Sequence, residues 1–212
     1  MKPWTRPLIL TLGVSLLVGC LPKKRVVWSP DGSVAAVITD RDLRFIDAEG
    51  AVLPLRLAGS VEQCAWFADG KRLVAVRSTK AKTWDDVAKA LGQEQVAAIK
   101  DFANQVRPHI MAYQGDWDDF DLSEQRQSPA SMGVAAMIYL RDKLPKGLPG
   151  KLGDKWDDLQ KLELDISHLQ VFTMENTKLN PGPTLATSID NIMRPNISPD
   201  GKLVAFLTQP WE

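Results

Sequence analysis

Val26-Val27-Trp28-Ser29-Pro30-Asp31-Gly32-Ser33-Val34-Ala35-Ala36-Val37-Ile38-Thr39 is the stretch whose reading decides the fold. Its middle is turn chemistry. Pro30 presets φ for the first central position of a type I turn, Asp31 suits the second, and Gly32 takes the left-handed φ that closes a three-residue hairpin loop with a bulge. Apolar runs flank the turn on both sides. Residues 62–76 repeat the plan around Trp66-Phe67-Ala68-Asp69-Gly70, with Ala68 where Pro30 stood. Residues 194–207 repeat it again around Ile197-Ser198-Pro199-Asp200-Gly201. Three hairpins of one design indicate a repeat architecture, and a period of about 40 residues is that of propeller blades.

Outward from the first turn, the spacing predicts strands over residues 25–29, 34–39, 43–47 and 52–57. In the last of these Leu53, Leu55 and Leu57 alternate with Val52, Pro54 and Arg56. Ala48-Glu49-Gly50 joins strands three and four as a short hairpin. The next copy starts on schedule, because Trp66 lies 38 residues after Trp28. The order Trp-Ser-Pro-Asp-Gly, a Val/Ala-rich strand and then Asp40-Arg41-Asp42-Leu43-Arg44-Phe45-Ile46-Asp47 resembles the repeat of TolB-like propellers, also found in the propellers of prolyl-oligopeptidase relatives.

The second unit is interrupted. Its hairpin runs to about residue 78, and a third strand, His168-Leu169-Gln170-Val171-Phe172-Thr173-Met174-Glu175, follows only much later. In between the apolar period changes from two to about 3.6: Val96, Ile99, Ala103, Val106 and Ile110 share one helical face. Ser128-Pro129 supplies an N-cap and first-turn proline ahead of Val134, Met137, Ile138 and Leu144. A turn at Asn180-Pro181-Gly182-Pro183 is expected before a fourth strand over 184–189. The fold class expected is mainly β with a helical insertion, a partial propeller of about two and a half TolB-like blades. Residues 26–79 hold the first blade and half the second, 80–166 the helical insertion, and 167–212 the rest of the second blade and the first hairpin of a third. Two and a half blades do not close a ring, which points to a fragment, a shortened gene or a partner that completes the sheets.

Residues 1–20 read as an export signal, with Lys2 and Arg6 basic, Leu8 to Val18 apolar and small residues after them. Leu17-Val18-Gly19-Cys20 resembles the lipobox of bacterial lipoproteins, which implies cleavage before Cys20 and a covalent lipid on it. The alternative is an ordinary signal peptide or membrane anchor with an incidental cysteine. Leu21 in place of Asp at the next position implies, within that family, the periplasmic face of the outer membrane, with the inner membrane as the alternative. Residues 21–25 are then a tether.

The composition is that of an ordinary globular chain, 44% hydrophobic and 25% charged. Removing Lys2 and Arg6 from the 26 basic residues leaves 24 against 26 acidic ones, so nothing recommends nucleic acid as a partner. No Gly-x-Ser-x-Gly elbow, dinucleotide fingerprint or phosphate loop occurs. His109 and His168 stand alone, without ligand spacing to other donors. The acidic run from Asp116 to Glu124 fails the EF-hand pattern at Phe120, Asp121 and Gln127. Asp31, Asp69 and Asp200 are explained by turn geometry, as are Pro30, Gly32, Gly70, Pro199 and Gly201. Neither a catalytic residue nor a metal site nor a cofactor other than the lipid is expected.

Trp-Asp-Asp occurs three times in the insertion, at Trp84, at Trp117-Asp118-Asp119 and at Trp156. Helix starts explain it, since acidic residues suit the first turn; an aromatic and acidic recognition surface for a partner or sugar is the functional alternative. The expectation is a non-catalytic, lipid-anchored scaffold that binds a periplasmic protein or peptide. The rival is the propeller part of a prolyl-oligopeptidase-like peptidase whose catalytic domain lies beyond Glu212.

Overall fold

The computed structural model describes residues 25–112, 130–175 and 178–210. The leader 1–20 with Cys20, the tether through residue 24, Trp117, Asp118, Asp119, the acidic run 116–124 and Ser128-Pro129 lie outside the described residues.

The three turns are built alike. Gly32, Gly70 and Gly201 adopt φ of 72°, 64° and 68°, which an L side chain resists. Each donates its N–H to the carbonyl three residues back, Ser29, Phe67 and Ser198. Asp31, Asp69 and Asp200 each accept the backbone N–H two residues on, from Ser33, Lys71 and Lys202. The loop is one residue longer than expected, four residues rather than three, because Ser29 and Val34 form the last rung. Ser29 N–H meets the Val34 carbonyl at 2.7 Å, and the Ser29 hydroxyl, rather than its carbonyl, takes the Val34 N–H at 3.0 Å. Ser198 and Leu203 do the same at 2.9 Å for both bonds. Phe67 has no hydroxyl, and there Asp69 accepts the Arg72 N–H instead.

The strands are β1 (Val26–Trp28), β2 (Val34–Ile38), β3 (Asp42–Asp47) and β4 (Val52–Ala58) in a first antiparallel sheet. A second contains β5 (Val61–Trp66), β6 (Arg72–Ala81), β7 (Leu164–Glu175) and β8 (Lys178–Ser188), and β9 (Asn191–Ile197) pairs with β10 (Val204–Gln209) as a hairpin. The rungs before the turns correspond: Trp28 with Ala35, Trp66 with Leu73, Ile197 with Val204.

These three units stack face to face. Ala36, Ile38, Leu43, Phe45 and Leu55 of the first sheet pack on Val61, Cys64, Trp66, Leu73, Ala75 and Phe172 of the second. The second sheet's other face, with Val74, Val76, Leu169 and Val171, receives Ile192, Ile197 and Val204 of the hairpin. Leu73, Val74, Ala75 and Val76 are therefore all buried, and β6 reads as an unbroken apolar run because it lies in the middle layer.

Helices α1 (Trp84–Ala90), α2 (Gln93–Ala112), α3 (Ala130–Arg141), α4 (Leu148–Leu152) and α5 (Asp154–Lys161) fall between β6 and β7. The β6–β7 ladder runs on to Ala81 opposite Leu164, so strand occupies both ends of the span 80–166. That extension gives the helices a floor: Ala81, Leu164 and Ile166 pack with Val87, Leu91, Ile99, Ala135 and Ile138. Farther out, Ala103, Val106 and Ile110 pack with Ala136, Met137, Leu140, Leu148 and Leu152. Thr83 and Asp86 form a capping box at the start of α1.

The expected turn at Asn180-Pro181-Gly182-Pro183 is instead strand. β8 runs through it, with Asn180 opposite Thr173 and Pro181 opposite Phe172. β8 is a sheet edge, where a proline's missing N–H costs no ladder bond, and the register slips between Leu169 and Phe172. Gln170 Nε2 fills the irregularity by donating to the Gly182 carbonyl at 3.2 Å. The chain is thus mainly antiparallel β with inserted helices, and the sheets do not close into a ring among the described residues.

Candidate functional site

The predicted turn residues are structural. The Ser29 hydroxyl on Asp31 and the Ser198 hydroxyl on Asp200, each at 2.6 Å, hold these carboxyls below the ordinary range. They are charged ties, not poised acids.

Trp84 and Trp156 are both half-buried but enter different apolar clusters. The Trp84 ring meets Tyr139 edge-on at 4.8 Å, with Lys100 Nζ 5.9 Å from its centre. Trp156 packs with the α3–α4 cluster, while Asp158 bridges Lys161 at 3.4 Å. These contacts pack each indole into the insertion and leave it partly exposed.

Sequence reasoning passed over Asp42. Its carboxylate is fully buried on the first sheet's outer face, accepting Thr39 Oγ1 at 2.5 Å and held by Arg44 Nε at 3.1 Å and Arg56 Nε at 2.7 Å. The Thr39 hydroxyl foremost, with both guanidiniums, keeps it ionised against the pull of burial. All its lone-pair demand is met within the sheet, so the cluster is a structural clamp. The Cys64 thiol, sealed between the two sheets, is pushed up to about 12 by burial and is inert as a nucleophile at neutral pH. Among the described residues no three His, Cys, Asp or Glu gather as a metal site, and no helix is long and apolar enough to cross a membrane.

The His168 imidazole is held below its ordinary range, by burial first and by the Arg77 charge second. Its Nε2 sits 2.7 Å from Thr79 Oγ1. Because the folded imidazole holds its proton less tightly than the unfolded one, acidification below about pH 6.5 protonates the unfolded chain first. Stability therefore falls as pH drops through that window and levels off once the folded group is also charged. Chemical denaturation between about pH 5 and 8 should show this slope in the native chain and a flatter one in His168→Gln. Equal slopes would exclude His168 as its source.

The remaining feature is an open surface. Trp28 and Trp66 occupy the same repeat position, yet Trp66 is 8% exposed and Trp28 51%. At the other end of the stack, β10 pairs only with β9 among the described residues, and Leu203 and Phe206 are 71% and 37% exposed. Between the hairpin and the second sheet lies a cleft of about 480 Å³ lined by Phe67, Val171, Pro183, Leu203, Val204 and Phe206, among others. Comparison with protein-family models, with curated proteins and with solved structures finds no match to this chain.

Proposed function

We propose that this chain is an exported lipoprotein, anchored by a lipid on Cys20, whose stacked sheets are blades of a TolB-like propeller serving as a non-catalytic scaffold for a periplasmic protein or peptide. The observation that carries the reading is the uncovered face at Trp28. Among the described residues Trp28 stands exposed where its counterpart Trp66 is packed, in a repeating stack of sheets. Faces built like internal interfaces but left uncovered suit the binding of other polypeptide. The lipobox-like Leu17-Val18-Gly19-Cys20 supports the anchor, and Leu21 supports the outer membrane.

Expression of the chain with its own leader in a Gram-negative bacterium tests the anchor. Mass spectrometry of the membrane fraction should find a mature N-terminus at Cys20 carrying acyl chains, and Cys20→Ser should abolish both processing and acylation. Processing at another residue, or acyl-free mature protein, would reject the lipoprotein. Cross-linking in the same cells through a photoreactive residue at position 28 should trap a periplasmic polypeptide, whereas no adduct would remove the binding role from that face.

A further inference from the structure

We propose that the second sheet carries, across β6, β7 and β8, a binding site for the carboxylate of an acylated amino acid, as found at the carboxyl end of a peptide. Arg77, His168 and the hydroxyls of Thr79 and Thr187 take the carboxylate, and the cleft beside Thr187 takes the apolar side chain of the same residue. This deepens the scaffold reading, on which it rests, by naming a ligand class and a place.

The strand registers build the site. Arg77 of β6 is opposite His168 of β7, and His168 is opposite Thr187 of β8, so the three side chains stand in a row across one face of the sheet. Thr79 lies two residues along β6 from Arg77 and therefore on the same face. Its Oγ1 is 2.7 Å from His168 Nε2, and Thr187 Oγ1 is 3.5 Å from Nδ1. Apolar clusters bound the row on both sides. Leu164 and Ile166, before His168 in the alternation of β7, pack with the helices, while Phe172, after it, packs with the first sheet.

The row is rich in donors and poor in acceptors. Among the described residues no carboxylate lies within 4.0 Å of the Arg77 guanidinium. Glu62 of β5 and Glu94 of α2, the acidic side chains of the neighbouring elements, do not pair with it. Its Nη2 donates to the Ala58 carbonyl at 3.1 Å, and its Nε is buried without an acceptor. A planar guanidinium in this state matches a carboxylate, and hydroxyls complete the shell. With His168 held neutral at pH 7, one formal charge faces the ligand, which suits a carboxylate rather than a doubly charged phosphate.

Thr187 also lines a cleft of about 470 Å³ between β8 and the corner of α1 and α2, together with Leu91, Gln95, Leu185 and Ala186 among others. Gln95 Oε1 is buried without a donor. The two unpaired polar atoms thus call for opposite partners, an anionic acceptor for Arg77 and an N–H for Gln95, separated by an apolar wall. An acylated amino acid presents that combination: carboxylate, amide N–H and side chain on one carbon.

The probe is N-acetyl-leucine, titrated into the full chain in detergent while the imidazole carbon–proton signals are followed by NMR. The chain has two histidines, and His168→Gln assigns them. A saturable shift of the His168 signals is expected, with a Kd of about 1 mM or tighter. N-acetyl-leucinamide, which lacks the charge, should bind at least about tenfold more weakly (about 1.4 kcal/mol), and Arg77→Gln should bring the acid down to the level of the amide. Leu185 is 45% exposed, so Leu185→Asp should keep the native circular dichroism; its like charge at the cleft should weaken the acid about tenfold. Absence of a saturable shift up to about 20 mM, equal binding of acid and amide, or indifference to both variants overturns the site. None of these readouts involves Cys20 or position 28, so failure here leaves the anchor and the Trp28 face standing, and their failure leaves this site standing.

Discussion

Trp66→Ala is expected to lower the free energy of unfolding by about 3–5 kcal/mol, whereas Trp28→Ala, at the same place in the repeat, should cost under about 1 kcal/mol. The Trp66 indole is the seam between the first two sheets. Its Nε1 donates across the interface to the Val27 carbonyl at 2.9 Å, and its ring meets Phe45 edge-on at 6.0 Å and 75°. Alanine leaves a cavity between Phe45, Cys64 and Leu73 and strips the Val27 carbonyl of its donor. Trp66→Phe, which keeps much of the area but not the N–H, should fall between. Denaturant unfolding at constant m-value measures all three, and similar losses at positions 28 and 66 would mean that the interface does not carry the stability assigned to it.

Arg141→Met is expected to cost about 2–4 kcal/mol and to loosen the insertion before the sheets. Arg141 is 7% exposed at the end of α3. Its Nη1 donates to the Leu159 and Gln160 carbonyls at 3.1 and 3.4 Å, and its Nη2 to the Lys82 carbonyl at 2.7 Å. One side chain thus ties α3 to the end of α5 and to the link between β6 and α1. Methionine can fill the volume, but it takes the guanidinium donors from the Lys82 and Gln160 carbonyls and leaves the Leu159 carbonyl only the Leu162 N–H at 3.3 Å. Limited proteolysis should cut the variant first within 84–161, with the sheets still protected. Global loss of protection at one denaturant concentration would instead make sheet and insertion a single cooperative unit.

The local signals were legible where chemistry acts within a few residues. Pro-Asp-Gly and Ala-Asp-Gly named the turns because only glycine sits comfortably at the positive φ that follows Asp31, Asp69 and Asp200. Ile99, Ala103, Val106 and Ile110 named the buried face of α2 because their spacing matches the helical period. The reading slipped where a side chain replaced a backbone partner. The Ser29 hydroxyl lengthened the turn loop by one residue, and Gln170 with the edge position of β8 let Pro181 and Pro183 stay in a strand. Asp42 was invisible because Arg56, the guanidinium that completes its pairing beside Arg44, reaches it only once β4 lies alongside β3.

By itself, then, the sequence determined the three turns, the alternation of the strands and the helical face of the insertion, all set by φ preferences and side-chain period within a few residues. Only the tertiary structure decided that Trp66 is sealed while Trp28 is open, that Trp84 and Trp156 go to different clusters, and that a cleft lies beside β10. The physical reason is that burial depends on which surface arrives from elsewhere in the chain: a first sheet covers Trp66, and no described residue covers Trp28 in the same way.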